Sequence, residues 1–333
     1  MSAAQLLALE DLSVAFRSSG RWADAVKGVS MVVAEGETIG LVGESGCGKS
    51  ATALAVLGLL PRAGRVTGGR VIFGGLDLLG LSRQRLRRIR GREIAMVFQD
   101  PATSLNPVLS IGAQVTEAVL AHQPNLGQRA ARRRAIELLE RVGVPDPAAR
   151  IGDLPHLWSG GMKQRLMIAM AIANRPRLLI ADEPTTALDV TIQAQVLALL
   201  KAVQQETGAA LILITHDFGV VAEMADRVMV MYAGRMMETG STLTVLKAPR
   251  NPYTTALLGS LPRLDRDRDR LAVIPGHPPS LIGTPSGCAF HPRCQLSGGR
   301  PRCRQEVPVL EATGPASHLS ACHYQGELAG SAP

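Results

Sequence analysis

Gly43 to Ser50 reads GESGCGKS, and the segments on either side of it decide what such a loop is for. Ahead of it Thr38 to Val42 (TIGLV) is an apolar run with the length of a buried strand; behind it Ala51 to Leu60 (ATALAVLGLL) has the length of a helix. Glycines at such a strand-to-helix turn let the backbone approach a ligand where a Cβ would intervene. The helix N-terminus adds unpaired N–H groups and a positive dipole end, so the expected ligand is an anion. The full G-x4-G-K-S pattern in this context predicts a phosphate cradle formed by Gly43, Glu44, Ser45, Gly46, Cys47, Gly48, Lys49, Ser50 and Ala51. Lys49 is expected to reach the β- and γ-phosphates of a nucleotide, and the Ser50 hydroxyl to take one Mg2+ position.

At 333 residues the chain has room for one large domain with an appendage, or for two domains. Hydrophobic residues at 46% supply a core, while aromatics at 3% argue against recognition of single-stranded nucleic acid by base stacking. The net charge of +8 suits an anionic partner such as a nucleotide or a phospholipid face. Much of the excess lies in Arg83 to Arg92 (RQRLRRIRGR) and Arg129 to Arg134 (RAARRR), read as solvated helix faces, with a membrane-near role as the alternative. No stretch approaches the ~18 to 20 apolar residues of a membrane span. Glu10 and Asp11 follow the first apolar residues without a positive leader, so no signal peptide is read and a reducing, cytoplasmic setting is expected. In such a setting the five cysteines are not expected to form disulfides, and Cys47 in the loop leaves four in the tail.

Along the chain, Leu7 to Phe16 and Ala25 to Val33 alternate polar with apolar and predict an antiparallel flap. Phe16 or Trp22, at its strand ends, is a candidate to stack on an adenine ring. Gly68 to Phe73 and Glu93 to Phe98 are strand-like, and Gln99 at the end of the second is placed to ligate Mg2+ or orient water. From about Asp100 to Leu157 turn formers and helical patterns predict an inserted helical subdomain. Next come Trp158, Ser159, Gly160, Gly161 and Met162 and a helix from Lys163 to Ala173. Its start can hold an anion through N–H groups and a hydroxyl, yet has no ligand within one subunit. The apolar run Arg177 to Ala181 delivers Asp182 and Glu183, suited to Mg2+ and to an in-line water respectively. Asp189, a helix from Ile192 to Glu206, and a strand from Ala210 to Ile214 ending near His216 follow. His216 is thereby expected at the same crevice as the phosphates. A helix over Val220 to Ala225 and strands over Val228 to Tyr232 and Arg235 to Gly240 close the sheet.

The order of these motifs resembles an ATP-binding cassette (ABC) ATPase over about residues 5–245. The resemblance implies an α/β P-loop NTPase fold: a RecA-like core with an antiparallel β subdomain and an inserted helical subdomain. It implies ATP and Mg2+ as ligands, with Ser50, Gln99 and Asp182 toward Mg2+, Glu183 as general base or water-orienting group, and His216 at the γ-phosphate. In that family two cassettes pair head to tail, so Ser159, Gly160, Gly161 and Met162 would cover ATP held by the partner, and Asp189 would communicate across the dimer. Trp158 departs from the family, which usually has Leu there.

Finer likeness in VGESGCGKS, FQDPATSLNPVLSIGAQ, NPYTTALLGSLP, GHPPSL and GCAFHPRC points to the oligopeptide/dipeptide branch of bacterial importers. This implies a second, related cassette as heterodimer partner, two transmembrane permease subunits and an extracytoplasmic solute-binding protein. The chain would sit peripherally on the cytoplasmic face of the membrane, with residues near Asn106, Pro107 and Ile111 meeting the permease. Domains are expected over 1–245 (cassette), 246–270 (helix and charged linker) and 271–333 (tail module). Nickel and glutathione importers are alternatives within the branch. A soluble ATPase acting on nucleic acid or ribosomes is disfavoured by the single cassette, and a non-hydrolysing regulatory subunit by Glu183 and His216.

The tail is dense in proline and glycine and shows no long period, so a core of its own is not expected. Cys288, Cys294, Cys303 and Cys322 are separated by five, eight and eighteen residues, which is not the short-knuckle spacing common in zinc sites. A four-thiolate iron-sulfur cluster tolerates such gaps. Modules of this tail type resemble carriers of a [4Fe-4S] cluster, with Zn2+ as the alternative, in which His291, His318 or His323 would replace one cysteine.

Overall fold

The apolar runs read as buried strands are buried along their whole length in the computed structural model, at Thr38–Val42, Leu178–Asp182 and Ala210–Thr215. Continuous rather than alternating burial is what strands covered on both faces require. The structure describes residues 4–18, 20–260, 274–280, 282–314 and 317–328; the charged run Arg263 to Arg270, read as a linker, lies outside them.

The elements are β1 (Gln5–Ser18), β2 (Arg21–Ala34), β3 (Thr38–Val42), α1 (Lys49–Val56), β4 (Gly64–Phe73), β5 (Leu76–Asp77), α2 (Arg83–Ile89), β6 (Ile94–Val97), α3 (Pro101–Ser104), α4 (Ile111–Leu120), α5 (Gln128–Arg141) and α6 (Pro147–Arg150). They continue with α7 (Gly160–Ile172), β7 (Leu178–Asp182), α8 (Val190–Thr207), β8 (Ala210–Thr215), α9 (Phe218–Met224), β9 (Arg227–Tyr232), β10 (Arg235–Ser241), α10 (Thr242–Lys247), α11 (Pro252–Gly259), α12 (Pro301–Gln305), β11 (Glu311–Ala312) and β12 (Leu319–Ser320). The described residues gather into two compact units.

The helix-rich unit takes the described residues 4–6, 33–38 and 80–214. Its parallel strands run in the order β6, β7, β8, with Val97 opposite Ala181 and Asp182 opposite Ile214. Helices α4, α5 and α7 supply its apolar faces; Ile111, Val115, Ala135, Leu139 and Ile168 are fully buried. The basic runs are solvated as expected: α2 buries no residue, and Arg129, Arg132 and Arg133 face solvent while Ala131, Ala135, Leu138 and Leu139 line the buried side of α5.

The second unit takes residues 7–32, 39–79 and the described residues from 215 onward. The predicted flap is a four-stranded sheet in the order β2-β1-β4-β5. On it Phe16 pairs with Gly64, and its ring covers that glycine so closely that a Cβ there would lie 2.7 Å from Cε1. Beneath the flap, β3 pairs parallel with β9, β9 antiparallel with β10, and β10 with the tail strand β12. The tail contributes to a core built elsewhere: Ala289 and Phe290 join Val42, Val230, Tyr232, Met237, Tyr253 and Leu258 in one buried cluster. The tail lacks the mass for a core of its own and completes an existing one. Tyr232, Tyr253 and Phe290 form an aromatic triad with centroids 4.6, 5.3 and 5.2 Å apart. The buried His318 Nε2 lies 2.8 Å from Glu238 Oε1 and fastens β12 onto β10.

Candidate nucleotide-binding loop, catalytic carboxylates and cysteine cavity

Helix α1 starts at Lys49, two residues earlier than its apolar run, with Gly48 as its left-handed N-cap at φ 112°. A Cβ on Gly43 would lie 2.2 Å from the Met231 carbonyl oxygen, and one on Gly48 would lie 2.6 Å from that of Ala25. Both positions therefore need glycine on steric grounds. Lys49 is buried, and its Nζ donates to the carbonyls of Gly43 at 2.7 Å and Glu44 at 3.0 Å, which centres the ammonium in the loop. Ser50 is the next residue of α1, and Ser45 and Gly46 lie exposed at the loop's crest. Cys47 is buried beneath it; burial pushes its thiol pKa up, opposed by the Lys49 charge.

Glu44 is held on every side. Its N–H donates to the Tyr253 hydroxyl at 2.9 Å, and its carboxylate receives both arms of the Arg293 guanidinium at 2.6 and 2.9 Å. Arg293 also donates to the Tyr232 hydroxyl at 3.2 Å and, through Nε, to the Pro275 carbonyl at 2.9 Å. The Glu44 carboxylate chiefly, against the opposing effect of burial, raises the Arg293 pKa. Sequence reasoning missed Tyr253, Tyr232 and Arg293, since they lie roughly 190–250 residues downstream of the loop and no local period reports such a contact. In the same unit His216 is exposed just beyond β8, ahead of Asp217, which caps α9 by accepting from Gly219 N–H at 2.7 Å.

The helix-rich unit brings Gln99 and Glu183 together. Gln99 Nε2 donates to Glu183 Oε2 at 2.9 Å, and the same oxygen accepts from Thr186 Oγ1 at 2.9 Å. Asp182 is buried at the end of β7, and Glu183 directly after it adopts φ 46°, a left-handed conformation that non-glycine residues rarely take. Strain of this kind collects at functional sites. The backbone N–H of Glu183 is anchored on the Ile214 carbonyl of β8 at 2.9 Å.

Ser159 caps α7, its Oγ accepting from Met162 N–H at 3.4 Å, and Ser159 and Gly160 are exposed. Gly161 is required by packing, since a Cβ there would lie 2.5 Å from Ile192 Cγ2 of α8. Trp158 is turned inward, 3% exposed, with Nε1 donating to Asp153 Oδ2 at 3.0 Å and the Arg150 guanidinium 5.1 Å from its ring centre. Replacing Leu by Trp thus enlarges the packing behind the SGG turn without covering the turn. Asp189 caps α8 by accepting from Ile192 N–H at 3.0 Å.

Of the adenine-stacking candidates, Phe16 is committed to covering Gly64, while Trp22 is 44% exposed with Arg65 4.0 Å from its ring centre. Of the residues placed near a permease, Asn106 and Pro107 are exposed, but Ile111 is fully buried at the start of α4; Val108, 77% exposed, is the apolar residue displayed there. An open groove of about 790 Å3 runs nearby, bordered by Ser110, Ala113, Glu117 and the basic Arg87, Arg129 and Arg132.

Cys288, Cys294, Cys303 and Cys322 all line one small cavity, walled by Met237, Phe290 and Leu296. Burial raises the pKa of all four thiols, that of Cys288 and Cys322 to about 11. The backbone N–H groups of Phe290 at Cys288, of Ser297 and Leu296 at Cys294, and of Tyr324 at Cys322 oppose that rise without reversing it. Among the described residues no three His, Cys, Asp or Glu side chains are disposed to hold a metal ion, and no helix among them is long and apolar enough to cross a membrane.

Residues 26–186 match the ABC transporter family, and residues 237–307 match the oligopeptide/dipeptide transporter C-terminal region. The chain is similar to the dipeptide transport ATP-binding protein DppD of Escherichia coli (strain K12), 50% identical over 326 residues that cover 98% of each chain. It is 54% identical over 292 residues, 87% of its own length and 48% of the relative's, to the oligopeptide transport ATP-binding protein OppD of Mycobacterium tuberculosis. Among solved structures it resembles the ATP-binding cassette MJ0796, a post-hydrolysis dimer bound to ADP and Pi, with TM-score 0.64 and 27% identity over 71% of this chain and 99% of that one.

Proposed function

Because the chain belongs to the ABC transporter family and carries the oligopeptide/dipeptide transporter C-terminal region, we propose that this ATP-hydrolysing subunit drives the import of di- or oligopeptides. The fold is the P-loop ABC cassette. What carries the peptide assignment is that the likeness to a dipeptide transport protein runs through loop and tail alike, over nearly the whole of both chains.

In this reading the Gly43–Ser50 loop wraps the phosphates, with Lys49 neutralising β- and γ-oxygens. Ser50, Gln99 and Asp182 offer oxygen donors, the set a hard cation prefers, and would hold Mg2+, which when bound offsets charge on the phosphates. Glu183 orients or deprotonates the attacking water, its carboxylate aimed by Gln99 and Thr186. His216 meets the γ-phosphate. Ser159, Gly160, Gly161 and Met162 cover the ATP of a second cassette, so ATP closes the pair and hydrolysis opens it, with Asp189 reporting across. The groove beside α4 and the exposed Val108 receive a permease segment, and the basic faces of α2 and α5 suit a site near anionic lipid.

For the four tail cysteines a [4Fe-4S] cluster remains the reading we propose, with Zn2+ as the alternative, and what supports it is that all four line one small cavity. Burial holds these thiols protonated at neutral pH, so a bound metal would have to displace their protons. A bound cluster would tie Cys322, just after β12, to Cys288, Cys294 and the Cys303 of α12, and the chain's part is to supply those four sulfurs. Iron and labile-sulfide analysis of anaerobically purified protein tests this, and a preparation containing neither refutes it. The transport reading is tested in proteoliposomes holding the chain, its partner cassette and both permeases. ATP-dependent uptake of a labelled dipeptide delivered by the binding protein is expected; uptake of nickel or glutathione alone would replace the peptide assignment.

A further inference from the structure

None of the roles above uses Arg293, Tyr253 or the Glu44 carboxylate, yet these groups form a continuous hydrogen-bonded network on the phosphate loop. Four bonds from three side chains converge on one loop residue: Tyr253 takes the Glu44 N–H, Arg293 takes its carboxylate in a two-armed bridge, and Lys49 Nζ sits on its carbonyl. The Arg293 side chain is 5% exposed and the Glu44 side chain 22%. A planar guanidinium in that geometry fixes the carboxylate in direction as well as distance, which a lysine cannot do.

We infer that Arg293, aided by Tyr253, is a positioning residue for the phosphate loop: it fixes Glu44 and, through the Glu44 carbonyl, the Lys49 ammonium, so that the tail sets nucleotide affinity. The tail is built to transmit its own arrangement to this point. Arg293 sits between Phe290 and Cys294 in a tight turn, its N–H on the Phe290 carbonyl at 3.0 Å and the Cys294 N–H on the His291 carbonyl at 3.3 Å. Phe290 and Cys294 are both walls of the cysteine cavity, and the Phe290 ring packs tilted, at 59°, against the same Tyr253 that holds the loop. A change in how the tail closes around its cysteines therefore moves the anchor of Arg293. The inference rests on the assignment of Gly43–Ser50 to nucleotide phosphates.

The test is equilibrium binding of a fluorescent ATP analogue, with Mg2+, to the full-length chain carrying Arg293→Met, Glu44→Gln, or both. Each single variant is expected to weaken binding about tenfold, and the double variant no more than the weaker single, because one interaction is removed in every case. Arg293→Lys should recover part of the loss. Steady-state turnover in the assembled transporter should show a raised KM for ATP with kcat nearly unchanged. Single variants within about twofold of the unsubstituted chain, or losses that multiply in the double variant, would overturn the inference. Thermal unfolding accompanies each measurement; if Arg293→Met does not fold, Glu44→Gln, which keeps shape and removes only charge, decides alone. Lys49→Ala separates the two claims: binding that survives it refutes the loop assignment itself, whereas its loss beside normal binding in Arg293→Met refutes only the positioning role.

Discussion

Replacing Glu183 by Gln removes a charge and keeps a shape, so it separates chemistry from scaffolding. The carboxylate oxygen Oε2 accepts from Gln99 Nε2 and Thr186 Oγ1, both at 2.9 Å, and an amide oxygen can accept both bonds. Each bond would fall from the charge-assisted range of about 1.5–3 kcal/mol to the neutral range of about 0.5–1.5 kcal/mol. At a position half open to solvent the two together cost about 1–2 kcal/mol of stability. The left-handed backbone at φ 46° is equally strained for Gln, so that contribution cancels. Loss of a general base costs about 10²–10⁴ in rate, equivalent to about 3–5 kcal/mol of barrier. Hydrolysis should therefore collapse while ATP binding and folding persist, and the closed cassette pair should accumulate. Single-turnover ATP hydrolysis by the assembled pair, set beside nucleotide binding and urea unfolding of the same variant, reads all three quantities. A variant that hydrolyses ATP at the original rate refutes the base assignment, and one that loses binding in proportion to hydrolysis shows that Glu183 is scaffold.

Trp158→Leu, which restores the family's usual residue, deprives Asp153 of its indole donor and should lower urea stability by about 1–3 kcal/mol. The Trp158 hydrogen bond first, then Arg150, holds the Asp153 carboxyl below its ordinary 3.8. A depressed carboxyl stabilises above the unfolded value and loses that contribution as pH falls through the folded one, so below about pH 4 the unsubstituted chain should lose more stability than Trp158→Leu; acid unfolding curves check the difference. Phe290→Ala empties the centre of the aromatic triad and should cost about 3–5 kcal/mol, read as a shifted urea midpoint. Ser159→Arg removes the cap on α7, worth about 0.5–2 kcal/mol, and places a long cation on the SGG turn. It should suppress turnover at the partner's ATP site while ATP binding by this chain's own loop, measured with the partner's loop lysine substituted, stays intact.

Much of the chain could be read before its structure because its signals are local. GESGCGKS sits between a five-residue apolar strand and a helix, and each parallel strand is an unbroken apolar run because both faces are covered. Gln99 and Glu183 each read as strand-end groups, but the hydrogen bond between them, across 84 residues, carries no local signal. Helix starts were misplaced by two or three residues, at Lys49 and Gly160, because glycines there serve as cap and first turn rather than as breaks. Family resemblance places Ile111 at a permease contact, but it is the first inward residue of α4. The tail was the least legible part. Its aromatic and basic residues carry no period, and Phe290 and Arg293 have meaning only against Tyr232, Tyr253 and Glu44, residues a local reading never sets beside them.

The bridge between Glu44 and Arg293 closes over 249 residues of chain. A ribosome adding about 5–20 residues per second would need about 12–50 s to travel from one partner to the other. During that interval the emerging loop has its Lys49 contacts but neither the guanidinium nor, for most of it, the Tyr253 hydroxyl. The loop and α1 are thus among the first elements made, and the binding-competent arrangement among the last. Truncated chains that end before the tail should reach the cell with the motif complete and its alignment missing, which makes the carboxyl-terminal residues a checkpoint on whether synthesis was finished.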